Sequence, residues 1–279
     1  MATKRTHAEN LDFVKAQVGA IKKVAKKALA PKQTMLPFWP EGTRRVPNLI
    51  LRNALFSANK DRDFFGRDMR LVASLEGHTV KVTEQMNQYD LDNLEMLLHL
   101  QREQPLGSRV AFTAHGFLKA MKRPTGGSSH IKLHEDLTRL ARATVEIRWT
   151  NERKSYTGSL VSGFARDEDT GTFVVTFNED LMRLYEAGST QIDWEQRQKL
   201  GKSNLAKWLQ VFYASHDAPY PMNVKTLKAL CASESPIREF RRLLKTALAK
   251  LVAVGLLSTW SVEKDLVKVQ KPKKALARH

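Results

Sequence analysis

A chain of 279 residues with 42% hydrophobic and 27% charged residues can bury a sizeable core, as one large or two ordinary domains. Its 46 Lys and Arg outnumber 29 Asp and Glu for a formal net charge of +17, which predicts a polyanionic partner, either nucleic acid or an anionic membrane surface. The single cysteine, Cys231, excludes an internal disulfide and a cysteine-rich metal site, and no uninterrupted apolar run reaches the ~18 residues of a membrane span.

In chain order, Leu11, Val14, Val18, Ile21 and Leu29 share a helical face opposite Lys15, Lys22, Lys23, Lys26 and Lys27. This basic amphipathic stretch reads either as a solvated tail or as a peripheral contact for anionic lipid or the DNA backbone. Lysines interrupt its apolar residues, which argues against a secretory signal. Pro31, Pro37, Pro40 and Pro47 then forbid a continuous helix. The extended segment between them carries Met35, Leu36, Phe38 and Trp39, which either form a docking peptide or pack back on the domain that follows. Residues 1–47 are read as a flexible basic region.

Residues 48–188 form the first globular segment. The pattern predicts a helix over Asn48–Ala58, strands over Met69–Leu75 and Thr79–Thr83, and a helix capped by Asp90. Next come a strand at Ser108–Phe112 and helices at Thr113–Met121 and Ser128–Arg142. Strands at Thr144–Trp149, Ser155–Ala165 and Thr172–Phe177 and a short helix at Asn178–Glu186 complete the segment. Residues 189–269 are mostly helical, with helices at Trp194–Leu200, Ser203–Ser215, Val224–Cys231 and Ser235–Gly255, then strands Leu257–Val262 and Leu266–Val269; 270–279 is a basic tail. Phe117–Met121 resembles Thr226–Leu230 at an offset of 109 (227 − 118), and the surrounding element order repeats too. Helix, short helix, turn, longer helix and hairpin is the order of a winged helix-turn-helix. The predicted fold class is α+β, with two tandem winged helix-turn-helix domains behind the flexible basic region.

Chemistry follows from which side chains each predicted element displays. In Ser235–Gly255, Ile237, Phe240, Leu244, Leu248 and Leu251 form an apolar stripe, and Arg238, Arg241, Arg242 and Lys245 form a basic one. Such a stripe on a rigid helix suits the major groove, where Arg and Lys neutralise phosphate or pair with guanine. The matching helix of the first module offers Lys132 and Arg139 beside Glu135 and Asp136, a less cationic face. Arg148, Arg153 and Lys154, and Lys264 and Lys268 in the second copy, are placed on wings beside the backbone or are ordinary surface charge. Gly201-Lys202-Ser203 lacks the earlier glycine of a P-loop, since position 196 is Gln196. His130 and His134 have zinc-like spacing without a third ligand, and Asp167, Glu168 and Asp169 read as solvated turn acids. No metal, no cofactor and no enzymatic activity are expected.

Three blocks carry a more specific signal: FWPEGTRRVPNLILRNALFS, YPMNVKTLKALC, and SPIREFRR followed by GLLSTWSVEKDLV. In this order they resemble the TrfA-type plasmid replication initiators and, more broadly, two-winged-helix Rep proteins. The resemblance implies binding to repeated iteron DNA, opening of an adjacent AT-rich region with contact to the single-stranded product, and work with the host initiator DnaA and the replicative helicase. It also implies a bacterial cytoplasmic setting, self-association as a dimer through the first module, and a sliding-clamp peptide in which Gln33 bonds the pocket rim and Leu36 and Phe38 fill it. A tandem winged-helix transcriptional repressor is the alternative, since it shares the basic helix but has no use for the peptide.

Overall fold

The computed structural model describes residues 35–272 apart from 76, 106–108 and 151–153, and these belong to a unit that begins at Met35. The basic stretch 11–29 and Gln33 lie outside the described residues.

The first strand, β1 (Thr43–Pro47), leads into a one-turn helix α1 (Asn48–Leu51). The helix expected to reach Ala58 stops there because the Asn53 side chain takes the Leu49 carbonyl and accepts from Leu55 N at 2.8 Å, a local alternative to the helical ladder. After β2 (Phe56–Ser57), β3 (Arg70–Val72), β4 (His78–Val82) and β5 (Met86–Asn87) comes the long helix α2 (Gln88–Gln101). Asn87, not Asp90, is its N-cap. Asn87 Oδ1 accepts from Tyr89 N at 2.9 Å while Asp90 Oδ2 accepts from Asn87 N at 2.9 Å, a reciprocal capping box.

The first winged helix continues through β6 (Arg109–Thr113), α3 (Ala114–Ala120) and α4 (Gly127–Arg142). A hairpin, β7 (Thr144–Trp149) and β8 (Lys154–Ser159), is then inserted before the wing, β9 (Gly163–Asp167) and β10 (Thr172–Thr176). The inserted hairpin completes a four-stranded sheet in the order β3-β4-β7-β8, while the wing pairs with β6 in the order β6-β10-β9. The single strand expected over Ser155–Ala165 is therefore two strands in different sheets. Leu160 and Val161 are adjacent and both fully buried, which breaks the two-residue period where the chain crosses between sheets.

A 3₁₀ turn at Glu179–Leu181 and α5 (Met182–Glu186) lead to β11 (Ser189–Asp193) and α6 (Trp194–Lys199). The second winged helix consists of α7 (Asn204–Ala214), β12 (Met222–Asn223), α8 (Val224–Leu230), α9 (Ile237–Ala253), β13 (Thr259–Glu263) and β14 (Leu266–Gln270), with sheet order β12-β14-β13. Both modules thus wire their sheets identically, and the tandem winged-helix reading holds.

The repeat is more regular than its residues suggest. Thr113 and Asn223 each cap the short helix, at an offset of 110 (223 − 113). The helix ends match at that same offset: Lys122 and Ala232 have φ of 52° and 51°, and Arg123 N and Ser233 N donate back to Leu118 O and Lys228 O at 2.9 and 3.0 Å. These paired Schellman endings shift the sequence-based alignment by one residue, so Phe117, not Leu118, corresponds to Leu227.

The segments expected to end at 47 and to begin at 189 are joined by a sheet, because β1 pairs antiparallel with β11 from Thr43↔Asp193 to Pro47↔Ser189. Leu36 and Trp39 join the first core, which extends through Leu97, Leu137 and Phe173 to Trp194 and Val211. A second core joins Trp208 and Phe212 on α7 to Leu227 on α8 and Phe240, Leu244 and Leu248 on α9. Among the described residues no helix is long and apolar enough to cross a membrane.

Candidate nucleic-acid interface

Helix α9 is positioned by its apolar stripe. Phe240, Leu244, Ala247, Leu248 and Leu251 are buried against the rest of the second module, and Ile237 is half-buried. The helix starts one residue later than the sequence implies, with Pro236 as the cap residue, whose carbonyl accepts from Phe240 N at 2.8 Å. It ends at Ala253, and Gly255 just beyond, with a φ of 79°, takes the left-handed conformation that suits glycine. With that stripe seated, Arg238, Arg242 and Lys245 project to the exposed side. Arg238 and Lys245 make no ion pair among the described residues, so both remain available to an external anion.

Arg242 is exposed but held by Glu239 one turn back, with Nε and Nη2 donating to the carboxylate at 2.9 and 2.5 Å. That pairing raises the guanidinium pKa and lowers that of Glu239. Arg241 is committed elsewhere. Its Nε and Nη2 each donate at 2.7 Å to Asp265, a bidentate pair that joins the helix to the tip of the β13–β14 hairpin. Arg241, expected on the DNA face, thus spends its fork on Asp265 and ties the helix to the wing. The wing turns over only two residues, Lys264 and Asp265, with φ of 47° and 65°. Both are left-handed, as a two-residue turn matching strand twist requires. Asp265 O also accepts from Val224 N at 2.8 Å, so the turn is tied to α8 as well as α9. Lys264 is thereby displayed, exposed, beside the helix, while Lys268 sits 3.8 Å from Glu263.

The first module differs in sign. Arg139, expected on its DNA face, is turned inward, with Nη1 at 2.8 Å from Asp90 and 2.9 Å from Asp136, and Nε 3.3 Å from Glu84. Asp90 and Asp136 hold its pKa up despite burial, and the side chain is only 13% exposed. The correction has a simple cause: on α4 the i, i+3 neighbour Asp136 and the N-terminal turn of α2 present carboxylates that a buried guanidinium must satisfy. Lys132 remains exposed, with Nζ 5.3 Å from the Tyr89 ring centre. His134 packs edge-on to Phe164 at 5.3 Å between centroids, a packing role. The wing tip carries Asp167, whose Oδ1 accepts from Asp169 N and Thr170 N at 3.0 and 3.1 Å. These bonds lower its pKa, and Asp167 with Glu168 and Asp169 makes the tip acidic. Arg148 lies on the inserted sheet, paired with Glu146 at 2.8 Å, and not on a wing; Arg153 lies outside the described residues.

At the other end, Leu36 is buried at 4% exposure whereas Phe38 is 81% exposed. Trp39 is buried, its Nε1 donating to His99 Nδ1 at 3.1 Å, and Arg45 Nη1 donates to Phe38 O at 3.2 Å. Glu41 extends the lock, 3.1 Å from His99 Nε2 and 2.6 Å from Arg102 Nη2. The expectation that Leu36 and Phe38 together enter a partner's pocket is corrected for Leu36, which is already committed to this chain's own core.

A family model described as TrfA protein matches residues 3–271, and the plasmid replication initiator protein TrfA of Escherichia coli is 27% identical over 286 residues, covering 96% of this chain and 74% of that protein. The chain belongs to the TrfA family of plasmid replication initiators. Among solved structures, domains 2 and 3 of RctB match with a TM-score of 0.53 at 14% identity, over 78% of this chain and 95% of that one. The Pi initiator protein in complex with iteron DNA matches with a TM-score of 0.52 at 12% identity, over 84% and 99%. At those identities the likeness is one of fold, and it covers both modules of this TrfA-family chain.

What the residue pattern of the basic helix could not disclose is which cations are spent internally. Asp265 lies 24 residues from Arg241 and Asp90 lies 49 from Arg139, and no local periodicity links such pairs. The spacing did carry one signal: Asp136, three residues before Arg139 on the same helix, is a standard intrahelical partner.

Proposed function

We propose that this chain initiates replication by gripping repeated origin duplex through its second module, with α9 in the major groove and the β13–β14 wing beside the neighbouring backbone. The observation that carries this reading is the face formed by Arg238, Arg242 and Lys245 on a helix whose opposite stripe is fully seated. Lys264 sits next to it on a turn that Arg241 and Asp265 hold in place. The fold shared with Pi, a protein solved on iteron DNA, supports the same docking. The role asked of the chain is binding without catalytic turnover: tighter binding to the opened origin than to duplex supplies the work of melting.

The first module contributes less to DNA, through Lys132 and not Arg139, and is read as the site of self-association. Contacts with DnaA, the helicase and the sliding clamp belong to the same proposal. For the clamp, Phe38 is the anchor in place, and use of Leu36 requires its release from the core. The test is a footprint on DNA flanking the gene together with competition against random duplex. Protection of a row of direct repeats beside an AT-rich region, weakened more on repeats than on random DNA by Arg238→Ala and Lys245→Ala, supports origin recognition. A single protected operator over a promoter supports repression instead.

A further inference from the structure

One cavity lies away from the α9 face. It has a volume of about 380 Å³ and lies between the α3–α4 turn, α2 and the α6–α7 turn, so both modules contribute walls. That volume lies in the range of small-molecule sites, roughly 300–1,000 Å³. Its apolar part comes from Leu118, Met121 and Leu133 of the first module and Trp194 on α6, all buried side chains.

Charge is distributed unevenly around these walls. Six cations line the cavity, Lys122, Arg123, Lys132, Arg197, Lys202 and Lys207, against two acids, Asp92 and Asp136. Both acids are already saturated. Asp92 accepts from Arg197 Nε at 2.7 Å, Lys207 Nζ at 2.6 Å and Arg123 Nη2 at 3.1 Å, and Asp136 is bound by Arg139, Arg62 and Asn93. Lys122, Lys132 and Lys202 are exposed at the mouth and make no ion pair among the described residues. Arg123, Lys132 and Lys207 crowd the Tyr89 ring at 5.1, 5.3 and 5.5 Å from its centre. Six cations against two carboxylates leave the walls with a net positive charge, which an external anion offsets. Burial, with Arg197 and Arg123 against the opposing pull of Asp92, holds the Lys207 pKa below the ordinary lysine value.

We propose that this cavity is a binding site for a free nucleotide, its phosphates held by Lys122, Lys132 and Lys202 and its base against the Leu118, Met121 and Trp194 wall. An apolar floor with a cationic mouth fits a ligand that is flat and apolar at one end and polyanionic at the other. A volume of about 380 Å³ fits one nucleotide unit better than a strand passing through. A bound nucleotide touches α3 and α4 on one side and the turn before α7 on the other, so its occupancy couples to the relative setting of the two modules. The site is independent of the α9 reading and stands or falls separately.

The test is fluorescence anisotropy of a methylanthraniloyl-labelled ATP titrated with the full chain, with unlabelled ATP and single-stranded oligo-dT as competitors. The expected result is saturable one-to-one binding displaced by ATP and weakened at least about tenfold in Lys122→Ala/Lys202→Ala, a loss of about 1.4 kcal/mol. Arg238→Ala/Lys245→Ala should leave it unchanged. Both lysines are exposed, so thermal unfolding of the variant should match the parent. Unsaturable binding, equal losses in the two double variants, or displacement by oligo-dT but not by ATP would each overturn the proposal.

Discussion

Replacing Asp92 by Asn probes the joint between the two modules. Asp92 is fully buried on α2, and its partners Arg197 and Lys207 come from α6 and α7. Burial pushes its carboxyl up, but Arg197, Lys207 and Arg123 outweigh that and bring it down to about 2. Arg197 Nε also lies 2.8 Å from Glu95 Oε2, so one buried guanidinium serves two carboxylates. Glu95 loses that competition: burial, helped by the charge on Asp92, raises it to about 7. The two acids then carry opposite linkage. Asp92, depressed from 3.8 to about 2, contributes about 2 kcal/mol of stability present above pH 4 and lost as pH falls toward 2. Glu95, raised from 4.5 to about 7, contributes about 3 kcal/mol present below pH 4.5 and lost as pH rises through 7. Asp92→Asn leaves Lys207 and Arg123 without a counter-charge and should cost about 3 kcal/mol near pH 7, a fall in Tm of roughly 6–12 °C. It should also let Glu95 ionise more readily and so flatten the pH dependence between 5 and 8. Glu95→Gln should match wild type at pH 4.5 and exceed it by about 3 kcal/mol at pH 8. Urea unfolding from pH 4 to 8 measures all three proteins. A loss below about 1 kcal/mol for Asp92→Asn, together with parallel pH profiles for wild type and Glu95→Gln, refutes the shared-guanidinium account.

Arg241→Ala and Asp265→Asn should each weaken origin binding, and the double variant should be no worse than either single one, because both remove the same wing clamp; additive losses in a competition assay would return Arg241 to direct DNA contact. Arg139→Ala should lower Tm markedly and leave the affinity of the folded protein for duplex nearly unchanged, which calorimetry and anisotropy separate. Phe38→Ala should preserve Tm and weaken clamp binding, whereas Leu36→Ala should destabilise by about 2–5 kcal/mol through cavity formation; equal Tm values for the two variants would place Leu36 outside the core.

The sequence by itself determined the main helices, the tandem modules and the amphipathic division of α9, because each rests on local chemistry: apolar spacing, glycine at the helix end, proline at its start. It also carried the family, through blocks whose order is more specific than any single helix. Only the tertiary structure decided which cations face outward. Arg241 and Arg139 look like Arg238 in the sequence, yet Asp265 on a hairpin tip and Asp90 on another helix claim them. Burial of polar residues on α2 was equally hidden, since it is α6 and α7 that cover Asp92 and Glu95 with Arg197 and Lys207. The same holds for Leu36: one segment offers two apolar anchors, and the β1–β11 pairing, with Trp39 bonded to His99, puts one inside and leaves Phe38 out. Local periodicity says which side of an element is apolar; what covers the other side depends on residues far away in the chain.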